Sequence, residues 1–100
     1  MTDLCLKHWL QLEAKVLNEN QRQLDKWGVQ EHTPCEWYTI LAEEVGELAQ
    51  AILQSHFGNI DDSTKNVVTE AIQSATLCLK IAEMYQHKIE ILNEARSKKL

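Results

Sequence analysis

Three acidic side chains near the centre of the chain have the types and spacing to do chemistry. Glu43, Glu44 and Glu47 share a sector of about 100° when residues 37–52 are placed on a helical wheel. Glu44 lies inside the apolar arc of that wheel and Glu47 at its edge, and no Lys or Arg lies three or four residues from any of the three. A carboxylate that turns toward a core must be protonated or bind a cation, because burying an unpaired charge is costly.

Glu70 repeats this pattern in the next helical stretch. It shares a face with Leu77 and Ile81, has no basic residue within one turn, and is followed one turn later by the amide of Gln73. Hard divalent cations prefer carboxylate and amide oxygens, so we expect these side chains to bind Mg²⁺ or Mn²⁺. A di-iron site is not indicated, since no Glu is followed by His three residues later. The alternative is that the glutamates form a solvated helix face.

The charge distribution indicates what such a site would bind. Residues 31–70 contain eight acidic residues and one basic residue, which argues against binding to nucleic acid. A carboxylate cluster that holds Mg²⁺ typically binds a phosphate-containing substrate and activates water against it. The sequence has no glycine-rich phosphate loop, so the phosphates would be held through the metal.

The first two helices are marked by sequence signals at their ends. Apolar residues at helical spacing predict a helix from about Asp3 to Lys26, with Gly28 as its stop. Thr33 and Glu36 then have the spacing of a capping box, with Pro34 in the first turn. We therefore expect a second helix from Pro34 to about His56.

The rest of the chain is harder to divide. A loop is expected over residues 58–63, and residues 63–100 contain no Gly or Pro. This last stretch is either one long helix or two helices, and we favour a break near residues 86–87. Short connections indicate an all-α, antiparallel bundle of three to four helices. Residues 67–85 are apolar around much of the helix, which indicates a subunit interface and a bundle completed by oligomerisation.

Composition limits the class of protein. The 100 residues, of which 44% are hydrophobic and 25% charged, with one Pro and three Gly, predict a single folded domain over residues 1–100. With a mean hydropathy of -0.36 and no apolar run of about 18 residues, we expect no membrane segment. The first residues do not resemble a secretory signal, and the spacing of the three Cys suggests neither disulfides nor zinc. We expect a cytoplasmic protein.

The acidic motif also resembles that of a known family. Residues 43–48, Glu-Glu-Val-Gly-Glu-Leu, resemble the E-E-x-x-E motif of the all-α nucleoside triphosphate pyrophosphohydrolases, the MazG-like group. Residues 26–28, Lys-Trp-Gly, precede this motif, as do Pro34 and Trp37, and residues 70–73 lie where the family has E-x-x-D. The resemblance covers about residues 27–79, most of the chain.

The resemblance implies Mg²⁺-dependent hydrolysis of a ribo- or deoxynucleoside triphosphate to the monophosphate and pyrophosphate, with a house-cleaning role in the nucleotide pool. By position, Glu44, Glu47 and Glu70 would be metal ligands, and Gln73 would occupy the position of the family's Asp. Glu43 would be a further ligand or would orient the attacking water, so Glu43 and Glu44 are the catalytic candidates. Gln73 carries one negative charge fewer than Asp.

The resemblance also implies a substrate site and an assembly. Trp27 would pack against the nucleobase, with Lys26 and His32 as polar neighbours, and the chain would form a homodimer or a dimer of dimers. Trp27 could instead be a core residue, and His32 a surface loop residue. Alternative functions are the phosphoribosyl-ATP pyrophosphohydrolase branch, a nucleotide sensor without turnover, and a helical protein-interaction module.

Overall fold

The computed structural model describes residues 3–58 and 60–98, and for residues 60–63 it describes the backbone alone. The described residues form three helices and no strand: α1 (Leu6–Trp27), α2 (Pro34–Phe57) and α3 (Ile60–Lys98). The all-α prediction is confirmed. None of these helices is long and apolar enough to cross a membrane.

The ends of α1 and α2 follow the sequence signals. Gly28 ends α1 with a φ of 71°, and its amide donates to the Leu24 carbonyl at 2.8 Å. This left-handed backbone conformation favours glycine, which has no Cβ to clash. The predicted capping box of α2 is present: Thr33 Oγ1 accepts from the Glu36 amide at 3.2 Å, and Glu36 Oε1 accepts from the Thr33 amide at 2.9 Å.

The third helix differs from the prediction at both places where a boundary was expected. It is continuous from Ile60 to Lys98, so the favoured break near residues 86–87 is wrong. Helix formation there needs no special signal, because Gln and His tolerate a helix and no Gly or Pro interrupts it. The helix also begins before the predicted start at residue 63, and Asn59 of the expected loop lies outside the described residues. Acidic and hydroxyl residues are favourable in a first helical turn as well as in loops.

Helices α2 and α3 form an antiparallel hairpin. Ser55 and Thr64 share a hydrogen bond at 3.2 Å near the connection, and at the other end Lys80 Nζ lies 5.8 Å from the ring centroid of Trp37. Residues progressively nearer the start of α2 therefore face residues progressively nearer the end of α3. This pairing places residues 44–47 opposite residues 70–73.

Helix α1 packs against α3 over a smaller surface. The buried Gln23 of α1 accepts a hydrogen bond from Lys80 of α3. Few large apolar side chains are fully covered, and Leu6, Leu10 and Leu17 of α1 remain 58–74% exposed. The hairpin of α2 and α3 is thus the part of the fold that fixes the acidic residues.

Candidate metal and substrate site

Three carboxylates from two helices meet on the hairpin. Glu44 and Glu47 lie one turn apart on α2, and Glu70 faces them from α3. Each offers an oxygen atom, and these atoms lie within 4.8 Å of one another. Glu44 and Glu70 are half-buried, whereas Glu47 is exposed. We call these three residues the acidic cluster.

Gln73 contacts two members of the acidic cluster. With its amide nitrogen turned toward them, it donates to Glu70 Oε2 at 3.0 Å and to Glu44 Oε2 at 3.1 Å. With the amide turned over, its oxygen faces the same two carboxylates. One side chain can thus stabilise the carboxylates as a donor, or present an oxygen beside them when a cation is bound.

The electrostatics of the acidic cluster are repulsive. Burial, followed by the charges of Glu47 and Glu70, raises the pKa of Glu44 to about 7. Burial and then the charge of Glu47 also raise the pKa of Glu70. Within the described part of the chain, no Lys or Arg forms a salt bridge with any of the three. The cluster therefore favours either a bound proton or a bound cation.

The donor set fits a hard divalent cation. All the available ligand atoms are carboxylate or amide oxygens, which Mg²⁺ and Mn²⁺ prefer. Oxygen ligands of one Mg²⁺ ion lie about 3 to 4 Å from each other. Since the cluster oxygens already lie within 4.8 Å, small side-chain movements would suffice.

A cavity of about 350 Å³ adjoins the acidic cluster. It brings together residues of all three helices and of the connector between α1 and α2. Its lining residues are Arg22, Gln23, Trp27, Gln30, His32, Ile40, Glu44, Gln73 and Leu77. Two members of the predicted metal site thus share one cavity with two members of the predicted substrate site.

Trp27 forms part of the wall of this cavity and is 51% exposed. The Lys26 ammonium lies 4.6 Å from its ring centroid, and the Arg22 guanidinium carbon lies 5.7 Å from it. A half-exposed indole leaves a surface on which a planar ring can stack. Lys26 itself is exposed and, among the described residues, is not part of the cavity wall.

His32 lies in the irregular connector between α1 and α2 and forms part of the cavity wall. It is half-buried, and its ring meets the buried ring of Trp37 edge-on, with centroids 4.7 Å apart and an interplanar angle of 87°. This contact orients the imidazole on the cavity wall.

The remaining sequence candidate, Glu43, is exposed and is not one of the three clustered carboxylates. Conversely, sequence reasoning missed Arg22, Gln23 and Gln30. Gln23 precedes Trp27 by one helical turn, a spacing that could have revealed it. Gln30 lies in the irregular connector, where periodicity gives no signal.

Comparisons of the chain with models of known protein families, with curated proteins and with solved structures give no match.

Proposed function

We propose that this chain is a Mg²⁺-dependent hydrolase that cleaves a nucleoside triphosphate to the monophosphate and pyrophosphate, as its MazG-like motif implies. The observation that carries the proposal is the shared cavity: Glu44 and Gln73 line it together with Trp27 and His32. The proposed cation ligands and the proposed stacking surface therefore adjoin the same cavity, which supports the proposal.

Each group has a task in this proposal. Glu44, Glu47 and Glu70 would hold the cation, and Gln73 would turn its amide oxygen toward it. A bound Mg²⁺ supplies charge neutralisation of the phosphates and promotes deprotonation of a water. Trp27 would stack on the base, since such stacking contributes about 1–3 kcal/mol.

In the reaction, the bond between the α and β phosphates breaks, and water supplies the new oxygen and two protons to the products. Glu43 extends into solvent from the same helix as Glu44 and Glu47. By the family motif it would be a further metal ligand or would orient the attacking water. Glu44 would be a metal ligand, and its side chain is half-buried on the cavity wall.

The test is pyrophosphate release from each standard ribo- and deoxynucleoside triphosphate, and from phosphoribosyl-ATP, with Mg²⁺ and with EDTA. We expect release that requires Mg²⁺, with the matching monophosphate as co-product. The preferred substrate would also separate a nucleotide house-cleaning enzyme from the phosphoribosyl-ATP branch. Absence of release from every substrate would contradict the proposed reaction.

Gln73 favours one alternative, a nucleotide sensor that binds without turnover. An amide in place of a carboxylate removes one negative charge from the cluster, which weakens its attraction for cations. Calorimetry with a triphosphate and Mg²⁺ would detect binding when no product forms. If Gln73 limits catalysis, Gln73→Asp should increase turnover or Mg²⁺ affinity, whereas a protein-interaction module would bind neither ligand.

We also propose that a second copy of the chain completes the fold as a homodimer or a dimer of dimers. A groove of about 660 Å³ runs between α1 and α3, and its wall is almost entirely apolar. Its lining residues are Leu4, Trp9, Leu12, Glu13, Val16, Val67, Val68, Ala71, Ile72, Ala75 and Leu79. An apolar groove of this kind is typical of a protein interface.

Light scattering tests the assembly. We expect a dimer or tetramer at micromolar concentration, and dissociation when Val68→Lys places a charge in the groove. Val29→Lys is the matched control, because Val29 is 85% exposed in the connector between α1 and α2. A monomer for the unmodified chain would contradict the proposed assembly.

A further inference from the structure

Among the described residues, Arg22 is the one Lys or Arg that lines the cavity of the candidate site. It lies on α1, and its guanidinium carbon is 5.7 Å from the ring centroid of Trp27. Its side chain is 47% exposed. A partly exposed guanidinium at this position can reach a molecule bound against Trp27.

Arg22 is held by a two-point contact with Glu19. Its Nε donates to Glu19 Oε1 at 2.9 Å and its Nη2 donates to Glu19 Oε2 at 2.8 Å. The Arg22 side chain is 47% exposed, so water competes for its guanidinium, whereas the Glu19 side chain is 10% exposed. Release of Arg22 would remove part of the stabilisation of the Glu19 carboxylate, and the new contact with a phosphate would have to offset this cost.

Glu19 would remain hydrogen-bonded after such a release. Gln23 Nε2 donates to Glu19 Oε2 at 2.6 Å, and Gln23 in turn accepts from Lys80. The burial of Gln23 fixes this arrangement between α1 and α3. Glu19 thus orients Arg22 and would keep the hydrogen bond from Gln23 after Arg22 leaves.

We propose that Arg22 exchanges Glu19 for a phosphate group of the substrate, and so binds the polyphosphate chain while Trp27 contacts the base. This inference rests on the proposed function. The acidic cluster repels an anion, so a polyphosphate needs positive charge on the cavity wall in addition to the bound cation. The planar guanidinium fork that now matches the Glu19 carboxylate matches a phosphate equally well.

The experiment measures binding of inorganic tripolyphosphate in the presence of Mg²⁺ by calorimetry, because this probe reports the phosphate contact without the base. We expect Arg22→Gln to weaken binding by about 10- to 100-fold, the range for one charged hydrogen-bonding group. Arg22→Lys, which keeps the charge, should lose less than about tenfold. Arg96→Gln, at the exposed end of α3, is the matched control and should bind like the unmodified chain.

Turnover gives a second readout. With the nucleotide that is hydrolysed fastest, Arg22→Gln should raise KM by a similar factor and change kcat by less than about threefold, because a uniform binding contact affects KM. A purely structural role would instead lower thermal stability in both Arg22 variants. Circular dichroism melting curves of the two variants distinguish these cases.

The outcomes separate this inference from the proposed function. Equal binding of tripolyphosphate by the unmodified chain and by Arg22→Gln would overturn the role of Arg22, even if pyrophosphate release is observed. Weakened binding in Arg22→Gln without pyrophosphate release from any substrate would support Arg22 as an anion ligand and refute the hydrolase. No binding of tripolyphosphate by the unmodified chain would also overturn the role of Arg22.

Discussion

Two carboxylates of this chain have opposite surroundings. Glu19, at the contact between α1 and α3, accepts hydrogen bonds from Arg22 and Gln23, and the hydrogen bond from Arg22 is the main cause of its lowered pKa. Glu44, on the hairpin of α2 and α3, lies beside the carboxylates of Glu47 and Glu70 and forms no salt bridge with any described residue. Burial and these neighbours raise its pKa to about 7.

The difference shows which carboxylates find a hydrogen-bond donor and a counter-charge within the fold. On α1, the guanidinium of Arg22 and the amide of Gln23 neutralise and orient Glu19. In the acidic cluster, Gln73 is the neutral contact between Glu44 and Glu70. A fold that pairs one glutamate and places three others close together has a local excess of negative charge, which attracts positive charge. That excess is the physical basis of the proposed metal site.

The largest effect should follow from removing one charge of the acidic cluster. We expect Glu70→Gln, and likewise Glu44→Gln, to lower kcat by at least about 100-fold, since each loses a ligand beside the reacting phosphates. Helical circular dichroism should be unchanged, because glutamine has similar size and helix propensity. The assay is pyrophosphate release with Mg²⁺.

Glu83→Gln is the matched control for this first prediction, because Glu83 is an exposed glutamate of α3 outside the cluster. It should retain full activity. Retained activity in Glu70→Gln would remove Glu70 from the proposed set of ligands.

Local sequence signals predicted much of the fold. The capping box of Thr33 and Glu36 located the start of α2, and Gly28 located the end of α1, because both depend on neighbouring residues alone. The predicted break near residues 86–87 was wrong, since no local signal there opposes a continuous helix. Helix length is a weak guide when Gly and Pro are absent.

The candidate site was predictable only in its helical parts. The wheel placed Glu44 toward the interior, and the structure makes it half-buried and brings Glu47 and Glu70 close to it. The wheel could not find Arg22 or Gln30 on the cavity wall, because their positions depend on the crossing of α1 over α3 and on an irregular connector. Such placement is set by tertiary packing rather than by periodicity.

The second prediction concerns pH in the absence of divalent cations. The raised pKa of Glu44 means that the folded state prefers its protonated form, so this stabilisation is complete below pH 4.5 and is lost as the pH rises through about 7. For a half-buried group screened by solvent, we expect a loss of about 1–2 kcal/mol in the free energy of unfolding. Urea titrations with EDTA between pH 5 and pH 8 measure it.

Added Mg²⁺ should reverse this loss. A cation bound to the deprotonated cluster at about 100 times its dissociation constant stabilises the fold by about 2.7 kcal/mol. The gain should be larger at pH 8 than at pH 5, because protons compete with the cation. If Mg²⁺ stabilised Glu44→Gln as much as it stabilises the unmodified chain, the cluster would not be its binding site.

The smallest expected effect is the change in the free energy of unfolding when Glu19 and Glu44 are each replaced by Gln, measured at pH 8 with EDTA. Glu19→Gln should lower the free energy of unfolding by up to about 1 kcal/mol, because it removes the charge that Arg22 contacts in a partly exposed ion pair. Glu44→Gln should raise it by about the same amount, because it removes a charge repelled by Glu47 and Glu70. Opposite signs for the same chemical change would show that the surroundings, and not the residue type, decide the contribution. Loss of stability in both variants would mean that Glu44 is already satisfied within the fold, and the argument for a cation at the cluster would fail.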